Sequence, residues 1–481
     1  MKYKHALFLY PYPERAVTDT MMLFPPTGLE YVATSAKNHV GKVTLLDLRY
    51  EKDLSNIKNL LDFIKREIDI IGVSIGWNRY LKEVLDLTKQ MPKNIPLVVG
   101  GYKATEIVEE IFEDCPPVDI IVRGEGEETI KEILKGEPLE KILGISFRTN
   151  GKVIHNEPKP LPEINSIASP DRTLRRNKYN LMLNGISVTN SSFDTVLSAR
   201  GCPFNCKFCT FSLNPLGQKR AYSARSVESV MQEIEEITAD VIFFSDDNFF
   251  VDTKRAERIC DLIIARKIKK RFMAQARLEI ASYPALLEKM VKAGFKVLQI
   301  GIESPHDHIL TQLNKGFDSD TVRKSFAVLK KYPIYYHGYF IYGNIGETVK
   351  EMLYISKFAK EIGVDSITFQ KLRIEKFSPL REIVDKAPGY HVNNKGFLYS
   401  DTLSYRALRE IGKKIKFSFY TPVRYVKMFW KCFMVVRFFT FRETAAFLLL
   451  APRLIKSAID RERKKGRLSN SLKRTFIKNT P

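Results

Sequence analysis

The chain has 481 residues, 44% of them hydrophobic and 27% charged. That is long enough for several domains and too apolar for a disordered chain. No apolar run approaches the ~18–20 residues that cross a bilayer, and six cysteines exclude a disulfide scaffold. The net charge of +22 is lopsided. Residues 405–481 hold 20 Lys and Arg against four Asp and Glu, a net of +16, which leaves +6 for the rest.

The opening MKYKHALFLYPYPER reads as a first strand rather than a signal peptide, so the reducing cytosol is the expected compartment. Strand-like ALFLY, KVTLLDL, IDIIGVSI, PLVVGG and VDIIVRG alternate with helix-length segments near 54–66, 79–90 and 104–113. This pattern predicts a parallel α/β domain over 1–135, with glycines clustered after the strand ends where such sheets bind ligands. No G-x-G-x-x-G opens its first helix, so a dinucleotide is not the expected guest. Residues 136–195 are Pro-rich and read as a linker. From 196 a second alternation begins with TVLSAR, DVIFFSDD, RFMAQAR, VLQIGIES, YYHGYFIYG and SITFQKLR. Six β/α units over 196–380 predict a partial or full β/α barrel with its chemistry at the strands' carboxyl ends.

After 380 a basic helical region is expected to about 460, then a basic tail over 461–481. Residues 428–450, MFWKCFMVVRFFTFRETAAFLLL, set cations among large apolar side chains. This suits an amphipathic segment lying on an anionic membrane surface. The competing reading is a helical subdomain that packs its own apolar face; nucleic acid is disfavoured because the apolar residues are too dense.

One motif carries chemistry. ARGCPFNCKFCTF places Cys202, Cys206 and Cys209 in C-x-x-x-C-x-x-C spacing on a loop after the first strand of the second domain. Three thiolates there can hold three irons of a cubane and leave the fourth open. Structural zinc would need a fourth ligand, and Cys115, Cys260 and Cys432 are isolated, as small core residues are.

That loop, with Phe208 before the last cysteine, resembles the cluster motif of the radical SAM superfamily. FFSDDNFF with Asp246, AQAR ending at Arg277, IGIES with Glu303 and Ser304, and GYFIYGNIGET with Gly343 resemble that superfamily's later segments in order, although Ile345 stands where Pro is usual. The resemblance implies that these residues contact S-adenosylmethionine (SAM). It also implies reductive cleavage to a 5′-deoxyadenosyl radical, with electrons from a donor such as ferredoxin or flavodoxin. FPPTGLEYVATSAKNHVGKVTLLDL, VVGGYKAT and VRGEGEETI resemble the cobalamin-binding domain of the B12-dependent class, which includes methyltransferases and the anaerobic ring cyclase of chlorophyll synthesis. The likeness places cobalamin near Thr27, Gly28, Ser74, Gly100, Gly101, Gly124, Glu125 and Gly126. No His lies in D-x-H-x-x-G, so an axial imidazole from that motif is not expected.

The fold class that follows is α/β: a Rossmann-like cobalamin-binding domain, a (β/α)6 partial TIM-like radical SAM barrel, and a basic helical C-terminal region. The expected activity is methylation of an unactivated carbon in a hydrophobic, lipid-like small molecule, at the inner face of the membrane if the basic region docks there. Oxidative cyclisation of a tetrapyrrole or lipid is the alternative, and a non-catalytic B12 or iron–sulfur sensor that docks to membranes is the reading from another class. A tRNA methylthiotransferase would carry a second cysteine triplet, whereas residues 1–150 hold only Cys115.

Overall fold

The computed structural model describes residues 1–13, 16, 24–183, 186–209, 213–375 and 377–450; the tail over 461–481 lies outside them. In the first domain, β1 (His5–Tyr10), β2 (Lys42–Asp47), β3 (Ile70–Ser74), β4 (Leu97–Gly100) and β5 (Ile120–Val122) form a parallel sheet in the order β2-β1-β3-β4-β5. Its strands are apolar on both faces, so both must be covered. Leu7, Leu9, Ile71 and Leu97 pack into one core, and Phe8, Ile70, Val98 and Ile120 into another.

The segment 136–195 is not an irregular linker throughout. β6 (Ile145–Thr149) and β7 (Lys152–His155) extend the first sheet as an antiparallel hairpin beyond β5. Its turn is Asn150–Gly151, both at positive φ, 47° and 75°. Asn-Gly suits a tight two-residue hairpin turn because neither residue is strongly penalised there. Residues 180–183 and 186–196 then supply β8 (Asn180–Leu183) and β9 (Ile186–Val196), the first strands of the second sheet.

After a small antiparallel pair, β10 (Ala199–Arg200) and β11 (Ser223–Ala224), come β12 (Val241–Phe244), β13 (Arg271–Ala276), β14 (Phe295–Glu303), β15 (Tyr335–Tyr342) and β16 (Ser366–Lys371). The order β16-β15-β14-β13-β12-β9 is parallel throughout and does not close, giving a curled half-barrel of six strands. Alternation divides its two faces. Ile242, Phe244, Phe272, Leu298, Ile300 and Tyr336 meet the helices outside, whereas Phe243, Met273, Val297 and Tyr335 point into the concave lumen.

The C-terminal region, expected to be helical over 381–460, is not helical throughout: helix Leu380–Asp385 is followed by a small antiparallel pair, β17 (Tyr390–Val392) and β18 (Leu398–Ser400), before the helices that begin at Tyr405. Helix Tyr405–Phe419 packs beside helix Val349–Ile362, where Ser418 and Ser356 hydroxyls lie 2.8 Å apart. Helix Pro422–Trp430 follows and unwinds into one π turn, Lys431–Val435. The chain then passes under the half-barrel, where Val436 and Phe438 join Phe243 and Met273 as the lumen's floor. Lys431–Asp365 at 2.7 Å and Arg271 donating to the Phe438 carbonyl at 2.8 Å fix it there. Among the described residues no helix is long and apolar enough to cross a membrane.

Candidate active site

The cysteine loop leaves β10 through Gly201. Its φ of +78° suits glycine, and a Cβ there would lie 2.5 Å from the Ala221 carbonyl oxygen. The loop is held from below by its own backbone: Lys207 N–H donates to Leu313 O at 3.0 Å, and Asn314 Nδ2 donates to Asn205 O at 2.8 Å. Cys206 is buried, and Cys202 and Cys209 are half-buried. Burial raises the Cys202 thiol, opposed by a hydrogen bond from the Phe204 backbone and, more weakly, by Arg277, which the fold brings beside the loop. Among the described residues, no three His, Cys, Asp or Glu side chains surround one point that a single ion could occupy. A cubane takes one iron per thiolate, and three free cysteines on one short loop beside Arg277 supply that donor set.

Arg277 follows β13 and is buried beside the loop. Its Nη1 donates to Cys206 Sγ at 3.3 Å, its Nη2 to Lys315 O at 2.6 Å, and its plane lies 3.7 Å over the Phe204 ring. Glu303 ends β14 at a register shift, in the left-handed region with φ 69°. That conformation costs a non-glycine residue about 1–3 kcal/mol and is typical of functional sites. Its carboxylate pairs with buried Lys315 at 3.1 Å. Gly301 beneath it leaves room for that pair, since a Cβ would lie 2.5 Å from Glu303 Oε1 and 3.0 Å from Lys315 Nζ. Ser304 is buried, its hydroxyl accepting from the His306 N–H. Phe208 packs with Leu313 and Leu372, its ring 5.7 Å from Lys315 Nζ.

Asp246 is fully buried with both oxygens engaged, accepting from Ser198 N–H at 2.6 Å and Ser198 Oγ at 2.5 Å. It braces the exit of β9 into the cysteine loop. Burial pushes Asp246 up to about 6 against those hydrogen bonds. Asp247 is likewise pushed up to about 6, by burial and then by Asp246, while the Gly201 N–H opposes the shift. Gly343 has φ +77° and donates its N–H to Glu347 at 2.8 Å, as Asn344 does at 3.0 Å. Glu347 therefore holds the turn after β15, and burial pushes its carboxyl up to about 7.

The residues expected to cradle cobalamin line the carboxyl edge of the first sheet. Gly28 and Gly76 face open space, with nothing within 4 Å of an added Cβ. Ser74 ends β3, and Gly100 ends β4 with a Cβ in ordinary contact with Val122. Gly101 has φ +108°, and a Cβ would lie 2.8 Å from Ile75 O, so only glycine lets β3 and β4 end this close together. Gly126 stays within the first domain, where a Cβ would lie 3.4 Å from Val32 and Val122, and the remaining ones meet the second domain. Thr27 Oγ1 lies 2.7 Å from Thr195 Oγ1, Gly124 faces Leu216, and Glu125 and Glu127 pair with Arg200 at 2.6 and 2.5 Å. The edge thus offers an open glycine-lined floor beside a seam of ion pairs, which fits a large cofactor held between the domains.

Four features had no legible motif. Lys315 lies on a turn and reaches Glu303 only in the fold. Trp77, 61% exposed, and Tyr102 stand on the first sheet's edge; burial, then Glu375 and Glu106, push the Tyr102 phenol up to about 12, and Cys209 also lies within its electrostatic reach. The carboxyl edges of the two sheets therefore face each other. In the lumen, His337 sits between Ser366 and Thr368 hydroxyls at 2.7 and 2.9 Å, and Tyr339 donates to Gln299 at 2.7 Å. Burial holds His337 down at about 4, hence neutral. The signal for this uncharged band was the inward alternation of Tyr335, His337 and Tyr339.

Comparison with known proteins agrees with this arrangement. A family model of the radical SAM superfamily matches residues 196–359, and one of the B12 binding domain matches residues 17–134. An uncharacterized methyltransferase of Pyrococcus horikoshii is 30% identical over 383 residues, covering 77% of this chain and 80% of that protein. The anaerobic magnesium-protoporphyrin IX monomethyl ester cyclase of Rubrivivax gelatinosus is 24% identical over 82% of this chain and 72% of its own length. The hopanoid C-3 methylase of Methylococcus capsulatus is 23% identical over 60% of this chain and 55% of its own. The fold is shared with the radical SAM methyltransferase TsrM of Kitasatospora setae, solved with cobalamin and a [4Fe-4S] cluster. The TM-score is 0.66 at 16% identity, over 82% of this chain and 77% of that one. The chain belongs to the radical SAM enzymes that carry an N-terminal B12-binding domain.

Proposed function

We propose that this enzyme holds a [4Fe-4S] cluster on Cys202, Cys206 and Cys209 and cobalamin between its two sheets, and that it methylates an unactivated carbon of a hydrophobic, lipid-like molecule. The observation that carries the reading is the opposition of the two carboxyl edges. The cysteine loop with Arg277, Glu303 and Lys315 forms one edge, and the glycine-lined floor with Trp77 and Tyr102 the other. When bound, the cluster and cobalamin supply one-electron cleavage of SAM and a transferable methyl group.

The chain's own residues position and exclude. Arg277 shields Cys206 and neutralises part of the charge the thiolates bring. The Glu303–Lys315 pair presents opposite charges to a zwitterionic amino acid moiety such as that of SAM. For each methyl placed, two SAM are consumed with two electrons from an external donor such as ferredoxin or flavodoxin. One SAM gives its methyl and leaves as S-adenosylhomocysteine. The other, with the substrate's hydrogen atom, leaves as methionine and 5′-deoxyadenosine. The apolar floor of Phe243, Met273, Val436 and Phe438 under the neutral Gln299–Tyr339 and His337 groups suits a skeleton with few polar groups. The likeness to a hopanoid methylase supports that substrate class.

The test is an anaerobic reaction with methyl-labelled SAM, reductant, cobalamin and a bacterial lipid extract. Label in lipid with S-adenosylhomocysteine and 5′-deoxyadenosine in equal amounts is expected. The cyclase relative favours a second reading, oxidative ring formation, which would yield 5′-deoxyadenosine without S-adenosylhomocysteine.

A further inference from the structure

Helix Pro422–Trp430 is turned inside out for a helix in water. None of its residues is buried, and the stripe Val423, Val426 and Trp430, at helical spacing, is 65%, 68% and 62% exposed. Met434 continues it at 57%, and Phe441 and Leu449 on the following helical segment are 90% and 82% exposed. Soluble surfaces rarely expose so many large apolar side chains within one short stretch of chain, and the two helical segments are held together through Phe429, Phe433 and Phe447. Exposed cations are interleaved with these apolar residues in the sequence, Lys427, Arg437 and Arg442, and Lys413 and Lys414 stand exposed on the preceding helix. The two acidic residues of 405–450 are both spent, Glu410 on Lys413 at 2.8 Å and Glu443 on Arg271 at 2.7 Å. Apolar side chains with a tryptophan among them, interspersed with cations that far outnumber the acidic residues of the same stretch, match the two layers of an anionic bilayer: acyl chains for the stripe, headgroup phosphates for the cations.

We propose that Val423, Val426, Trp430, Met434, Phe441 and Leu449 form a bilayer-docking face that inserts into an anionic membrane surface. The same stretch of chain supplies Val436 and Phe438 to the lumen floor, so docking sets the closed end of the half-barrel against the lipid and leaves the carboxyl edges facing away. The proposal does not rest on the substrate being a lipid, because binding to vesicles requires no turnover.

The full-length protein would be sedimented with phosphatidylglycerol-containing vesicles at low salt, and its tryptophan fluorescence followed as brominated lipid is added. The chain has two tryptophans, Trp77 and Trp430. Saturable binding is expected, with quenching in the wild type and none in Trp430→Phe. Val426→Asp should weaken binding about tenfold or more, because a charge replaces inserted apolar surface. Its circular dichroism and thermal melt should match the wild type, since Val426 packs against little. No sedimentation at low salt would overturn the proposal. So would binding that Val426→Asp leaves intact without Trp430 quenching, which would assign docking to the cations alone. A wild-type dimer in the absence of lipid that Val426→Asp dissolves would overturn it in favour of a second copy of the chain.

Discussion

At the residue scale the site depends on a few cations brought beside the cysteine loop. Arg277 donates to Cys206 Sγ, and a hydrogen bond to a cluster sulfur raises the reduction potential. Arg277→Met should therefore shift the cluster's potential to more negative values and weaken iron retention about 10–100-fold. Spectroelectrochemistry and iron analysis check the two halves separately. The cysteines, Arg277 and Glu303 were legible in the sequence because each belongs to a short local motif at a strand end. Lys315 was not, because nothing in NKGF marks a lysine that only the fold brings within 3.1 Å of Glu303. Asp246 was legible as a polar residue at a strand end, but its service to Ser198 was not.

At the scale of elements, turns set where strands end and so where side chains converge. Glu347 ties Gly343 and Asn344 in the turn after β15, and burial pushes it up to about 7. A carboxyl raised in the folded state holds a proton that the unfolded chain releases near its ordinary 4.5. Its contribution is present below that value and is lost as pH rises through about 7. Glu347→Gln should thus flatten the fall in stability between these pH values, by at most about 3 kcal/mol, in denaturant titrations across that range. Gly101 is a second such point. Gly101→Ala should cost about 1–3 kcal/mol and reduce cobalamin retention, as the new methyl pushes β3 from β4; equilibrium unfolding and the visible spectrum read both. The β6–β7 hairpin lay hidden among Pro-rich neighbours, although its Asn150–Gly151 turn is a recognisable local signal.

At the scale of the molecule, two half-buried arginines tie the domains together. Arg175 reaches Glu30 of the first domain at 2.6 Å and Asp194 of β9 at 2.7 Å. Arg172 links Asp194 at 2.9 Å to Glu233 at 2.6 Å. Arg175→Met should cost about 3–5 kcal/mol by leaving Glu30 buried without its partner. Calorimetry should then resolve separate transitions for the two domains. The six β/α units were readable from alternation alone, since buried parallel strands are runs of apolar residues of strand length. Arg172 and Arg175 were not, because a basic residue in a Pro-rich stretch reads as solvated until its acidic partners arrive from other elements.

On the proposed function, the cysteine loop and the carboxyl edges around it form a working site for SAM. The measurement that tests it most directly is 5′-deoxyadenosine formed from SAM by the anaerobically reconstituted, reduced protein, quantified by mass spectrometry. Formation by the wild type and none by Cys206→Ala is the predicted result. No 5′-deoxyadenosine from wild-type protein carrying a full cluster and cobalamin, with the lipid extract present, would contradict it.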